Sequence, residues 1–132
     1  MSNEDLNSSP TLIKDIMKKT LIFVNPTTTV FQVAKMMEQG GISAIFIKEN
    51  EDFVGIITDR DFATKIAVNQ LPFDTQVEKI MSSPLITINQ NEPIAAAAEI
   101  MTRKKIRKLA VLDNEKIVGI LRSIDLVKQL AK

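Results

Sequence analysis

The chain has 132 residues, 45% of them hydrophobic and 25% charged, with seventeen basic residues against sixteen acidic ones for a net charge of +1. A chain of this length buries roughly two-thirds of its unfolded surface, enough for one compact domain or two very small ones, and its balanced charge gives nucleic acid and membrane surfaces no bulk electrostatic attraction. It contains neither cysteine nor histidine, which removes disulfides, thiolate nucleophiles, the commonest general base and every Ser-His-Asp or Cys-His arrangement within the chain, and so favours binding over catalysis.

Residues 1–10, MSNEDLNSSP, are polar, lack the charged and apolar regions of a signal peptide, and are expected to form a flexible tail. No apolar run approaches the ~18 residues that a membrane span needs, so a cytoplasmic protein is expected. Thr11 to Met17 places Leu12, Ile13, Ile16 and Met17 at helical spacing, and Leu21 to Val24 reads as a buried strand stopped by Asn25-Pro26. Thr29 with Gln32 fits a capping box for a helix whose apolar stripe is Val30, Val33, Ala34 and Met37 and whose end is Gly40-Gly41. Ile42 to Ile47 and Phe53 to Ile57 read as strands joined by a polar connection, Lys48 to Asp52. After Thr58 the pattern turns helical, with Phe62, Ile66 and Ala67 on one face and an end near Asn69 to Pro72.

The organising phrase is Gly55 to Asp61, GIITDRD, which returns as Gly119 to Asp125, GILRSID, at a separation of 119 − 55 = 64 residues. At that spacing Ile80-Met81 answers Ile16-Met17, Leu85-Ile86 answers Leu21-Ile22, Asn89 answers Asn25, Met101 answers Met37, Val118-Gly119-Ile120 answers Val54-Gly55-Ile56, and Asp125 answers Asp61. Pro93 suits the first turn of the second copy's long helix, where the alanine-rich run Ala95 to Met101 permits close helix approach. The chain is therefore an internal repeat. The expected organisation is a tail (1–10), a first repeat (11–70), a linker (71–76, with Pro72) and a second repeat (77–132). Each repeat reads β-α-β-β-α, an α/β (α+β) fold, and each is too small to bury its own faces, so the two are expected to pack about a pseudo-twofold axis.

An introductory helix ending Ile-Met, a short strand, a helix, two strands and Gly-Ile-Ile-Thr-x-x-Asp opening a last helix, in two copies, resemble a pair of CBS domains, often called a Bateman module. The resemblance covers roughly Thr11 to Ala131. It implies a stand-alone regulatory module for signal transduction that is not an enzyme and needs no cofactor. It further implies an adenosine-containing ligand (AMP, ADP, ATP, S-adenosylmethionine or a dinucleotide) in clefts between the repeats, a homodimer, and a regulated partner protein, with no part for membrane or nucleic acid. The alternative is a ligand-free structural or protein-interaction module whose function is dimerisation.

The resemblance also distributes roles. Thr58 would hydrogen-bond phosphate or ribose and Asp61 the ribose hydroxyls; the strand-to-helix position of Thr58 suits an anion, and the charge of Arg60 beside it, apart from the resemblance, would add a phosphate contact. The bland reading is that Thr58 and Asp61 are a helix cap and nothing more. Thr20 in the first repeat, and Ser83 with Pro84 in the second, would lie beside the base. Ile42, Ser43 and Ala44, or Lys108 onward, would offer backbone groups to the adenine edge, and Ile22 and Ile86 would sandwich the ring or simply fill the core. The second copy departs from the pattern: Arg122 replaces Thr58, as a phosphate clamp or a sign that this cleft is empty or differently occupied, and Ser123 stands ready as N-cap in its place. Arg107 and Lys108 would reach toward phosphate, although the basic run from Arg103 also reads as a solvated helix end.

Overall fold

The computed structural model describes residues 10–132, so the tail read over residues 1–10 lies, but for Pro10, outside it. In chain order the elements are α1 (Ile13–Ile16), β1 (Phe23–Val24), α2 (Val30–Gly40), β2 (Ala44–Glu49), β3 (Asp52–Thr58), α3 (Asp59–Asp61, wound on as a π-turn over Phe62–Ala67), a 3-10 turn (Val77–Lys79), β4 (Thr87–Asn89), α4 (Ile94–Lys104), β5 (Lys108–Asp113), β6 (Lys116–Arg122) and α5 (Ser123–Leu130). No helix among the described residues is long and apolar enough to cross a membrane.

The chain forms two compact units, a central one of Leu21–Ile86 and a terminal one that joins the described residues up to Thr20 to Thr87–Lys132. Each holds a three-stranded mixed sheet, ordered β1-β2-β3 or β4-β5-β6, whose first two strands are parallel and last two antiparallel. Both antiparallel pairs slip register at the same repeat position, between Ile47 and Lys48 and between Val111 and Leu112. The expected polar connection from Lys48 to Asp52 is shorter in fact, because β2 runs to Glu49 and β3 starts at Asp52. A two-residue turn closes the pair, with Asn50 at φ 57° and, in the second copy, Asn114 and Glu115 at 49° and 69°. Asparagine tolerates that left-handed backbone, and the mirror-image turn matches the twist of the strands.

The central core gathers Val33, Ile45, Ile47, Ile57, Ile66 and Val77; the terminal core gathers Ile13, Ala97, Met101, Leu109, Val111 and Leu121. Each fully buried aliphatic side chain contributes about 1.5–3 kcal/mol. The compact units are thus cut differently from the sequence repeats. Val77 and Ile80, from the opening of the second repeat, fill the central core, while Ile13, from the opening of the first, fills the terminal core. Backbone pairing fixes the exchange: Ser82 and Ile56 trade N–H···O bonds of 2.9 and 3.1 Å, and Lys18 and Ile120 trade two of 2.9 Å. These contacts explain the glycine of the repeated phrase. A Cβ on Gly119 would lie 2.6 Å from the Lys18 carbonyl oxygen, and one on Gly55 would collide with the Met81 side chain.

Three local expectations change. Leu21 to Val24 is strand only over Phe23–Val24, and Phe23 is 49% exposed; Leu85 and Ile86 likewise lie outside β4, and Ile86 is exposed. Both β1 and β4 are edge strands that pair on one side, so hydrophobic residues there need not be covered. Ala67 is exposed, while Phe62 and Ile66 pack on the core, because the i→i+5 bond from the Val68 N–H to the Ala63 carbonyl (3.3 Å) rewinds the helix and turns Ala67 outward. Pro93 is the N-cap of α4 rather than a residue of its first turn.

Candidate functional site

The two corners where β3 runs into α3 and β6 into α5 each hold a carboxylate that reaches back to the strand end. At the end of β3, Asp61 Oδ2 accepts the Thr58 N–H at 2.8 Å and the Thr58 hydroxyl at 3.3 Å. This is the reverse half of a capping box, and it fixes the carboxylate where the helix start is positive. Asp61 is only 6% exposed. Its other oxygen, Oδ1, lies 3.2 Å from Lys65 Nζ, and that ammonium also donates to the Ile80 carbonyl at 2.8 Å and the Ser82 hydroxyl at 3.3 Å. Lys65 was not among the expected site residues. The signal for it was an acid four residues before a base, which shares a helical face.

The central unit holds Ile22, Ile42, Ser43, Ala44, Thr58, Arg60 and Asp61. Ser43 and Ala44 lead into β2, and the Ser43 carbonyl accepts the Asp59 N–H at 3.0 Å, which clips the helix start to the neighbouring strand. Ile22 packs against the central core and its carbonyl accepts the Phe46 N–H at 2.9 Å. Thr58 is half-buried and Arg60 exposed. Ser83, Pro84 and Ile86 belong to the same unit but lie at its far end of sequence, all exposed. An open depression of about 330 Å³, lined by Ala34, Met37, Glu38, Asp59 and Phe62, flanks the start of α3.

The terminal unit holds Thr20, Arg107, Lys108, Arg122, Ser123 and Asp125. Asp125, 7% exposed, repeats the corner: its Oδ2 accepts the Arg122 N–H at 2.9 Å. The side chain of Arg122 then folds onto the same carboxylate, with Nε 3.1 Å from Oδ2 and Nη2 2.6 Å from Oδ1. Ser123 does not take over the cap. Arg122 occupies the N-cap, Ser123 is the first helical residue, and its N–H bonds the Arg107 carbonyl at 2.8 Å, as Asp59 does to Ser43. The reason is that the carboxylate three residues beyond Arg122 already satisfies the corner, leaving no vacancy for a hydroxyl. Arg103 and Lys104 end α4, Lys105 follows at φ 57°, and Arg103 pairs with Glu99 at 3.4 Å; these are charges on an exposed helix end, while Lys108 opens β5 opposite Arg122.

The CBS domain family profile matches residues 13–68 and 77–132. The chain is 32% identical to the CBS domain-containing protein YhcV of Bacillus subtilis, over 86% of its own length and 81% of that protein. It is 35% identical to protein MJ0450 of Methanocaldococcus jannaschii over 86% of its own length, but spans only 62% of that longer relative. Its fold matches the CBS domain pair of protein MJ0100, solved in complex with 5′-methylthioadenosine and S-adenosyl-L-methionine, with a TM-score of 0.82 and 30% identity, over 93% of this chain and 98% of that one. Two matched copies, in a fold with duplicated sheets and duplicated corners, establish that the chain belongs to the CBS domain family.

Proposed function

We propose that this protein is a regulatory module that binds an adenosine-containing ligand and signals by changing its conformation or its contacts with a partner protein. The observation that carries the reading is the likeness, over nearly the full length of both chains, to a CBS pair solved with two adenosine compounds. The corner of the central unit supports it chemically. A buried carboxylate held by the backbone, beside a threonine hydroxyl that turns about one bond, suits the paired hydroxyls of a ribose. In this reading Asp61 and Thr58 contact the sugar, Ser43 and Ala44 lie at the base edge, Ile22 packs on the ring, and Arg60 approaches phosphate. The ligand acts by binding one arrangement of the protein better than another, without chemistry on it.

The test is thermal unfolding with AMP, ADP, ATP, S-adenosylmethionine and NAD. Stabilisation that grows with ligand concentration supports the reading, since a ligand at 100 times its Kd adds about 2.7 kcal/mol. No shift with any of them at millimolar concentration defeats it.

A second reading, dimerisation without a ligand, draws on Ile124, Val127 and Leu130, which stand exposed at i, i+3 and i+6 on α5. Sedimentation of the ligand-free protein and of Val127→Glu separates it. A dimer lost in the variant, with no nucleotide effect in either protein, favours this second reading.

A further inference from the structure

The two buried aspartates are neutralised from opposite directions. Asp61 meets Lys65, one turn further along its helix, and that ammonium is anchored by Ile80 and Ser82 behind the carboxylate. The strand-end side of Asp61 is left to the Thr58 hydroxyl. Asp125 has Gln129 where Asp61 has Lys65, four residues on in each case (129 − 125 = 65 − 61 = 4). Its positive charge comes instead from the strand end, where Arg122 grips both carboxylate oxygens with Nε and Nη2.

The consequence follows from counting acceptor sites. A carboxylate offers about four, two on each oxygen. On Asp125 the Arg122 N–H and Nε fill Oδ2 and Nη2 takes one site of Oδ1, which leaves a single site for a diol that needs two. On Asp61 the Thr58 N–H and Lys65 take one site each, and the weak 3.3 Å bond from the Thr58 hydroxyl is given up when that hydroxyl turns toward a ligand. Two sites, one on each oxygen, are then available.

We infer that Arg122 is a built-in plug that closes the corner of the terminal unit to ribose hydroxyls, and that the chain takes one adenosine ligand, at Asp61. The side from which each aspartate receives its positive charge decides which corner is open. This inference rests on the adenosine-binding reading and adds a stoichiometry to it.

Equilibrium dialysis and calorimetry with AMP and with S-adenosylmethionine test it. The wild-type protein is expected to bind one ligand per chain. The variant Arg122→Thr/Gln129→Lys, which transplants the central arrangement, is expected to bind two. The converse change, Thr58→Arg, is expected to bind none while its circular dichroism spectrum stays that of the wild type. Two ligands per wild-type chain overturn the inference, because Arg122 then swings aside, and so does one ligand on a folded double variant. If the double variant does not fold, Thr58→Arg decides, and retention of its ligand overturns the plug. Where the wild type binds neither compound, the same count is taken with ADP, ATP and NAD, and failure with all five defeats the adenosine reading and the plug with it, an outcome distinct from a wrong count.

Discussion

Asp61 and Asp125 are the buried charged side chains among the described residues, and each is held by a backbone N–H and a cation. Hydrogen bonds to a charged group are worth about 1.5–3 kcal/mol, roughly 10- to 100-fold in affinity. Asp61→Ala is therefore expected to weaken adenosine-ligand binding at least about tenfold, and Asp125→Ala by much less; calorimetry with AMP checks both, and the reverse order refutes the choice of corner. The glycines of the repeated phrase give a second test. A methyl on Gly119 meets a backbone oxygen, which yields only if the strand moves, whereas one on Gly55 meets chiefly the Met81 side chain, which can turn away. Gly119→Ala is expected to cost about 1–3 kcal/mol in urea unfolding, and Gly55→Ala less. At this scale the sequence was informative about Thr58 and Asp61, whose spacing is that of a cap. It was silent about the Arg122 fork, because an arginine at a strand end has many acceptors within reach and only the fold selects one.

At the scale of elements, capping chemistry was the most legible feature. Thr29 and Gln32 form both halves of their box, at 2.9 and 3.2 Å, and Gly41 ends α2 at φ 62°, where a side chain is strained. The second copy ends α4 with Lys105 in the same left-handed conformation. Lys105→Gly is expected to stabilise the protein by about 0.5–1 kcal/mol, raising Tm by roughly 2–4 °C in a thermal scan; an unchanged or lower Tm would show that the lysine is fixed there by contacts that glycine forfeits. Less legible were the edge strands β1 and β4, since hydrophobic composition does not reveal whether a strand has one neighbour or two. The π-turn after Asp61 was also hidden, because Phe62, Ile66 and Ala67 keep an ordinary helical spacing in sequence while the backbone does not.

For the whole molecule, the repeat announced two similar sheets, and two are found. It did not announce that each copy's opening segment belongs to the core formed around the other copy's strands, because aligned copies carry no record of which one packs on which. A fragment of residues 21–86 keeps Val77 and Ile80 in the core of the central unit, whereas a fragment of residues 11–70, cut at the repeat boundary, loses them. The first is expected to unfold cooperatively and the second to give no cooperative transition in circular dichroism; equal behaviour would mean that the exchange adds little to stability. The same exchange sets an order of events during synthesis. Residues 21–86 hold everything the central core needs once the ribosome has passed Ile86. Ile13 and Lys18 leave the ribosome before them, yet their partners, Leu121 and Ile120, are made about a hundred residues later. The opening segment of the first repeat thus waits for the last strand of the second, and the terminal unit closes only after β6 has been made.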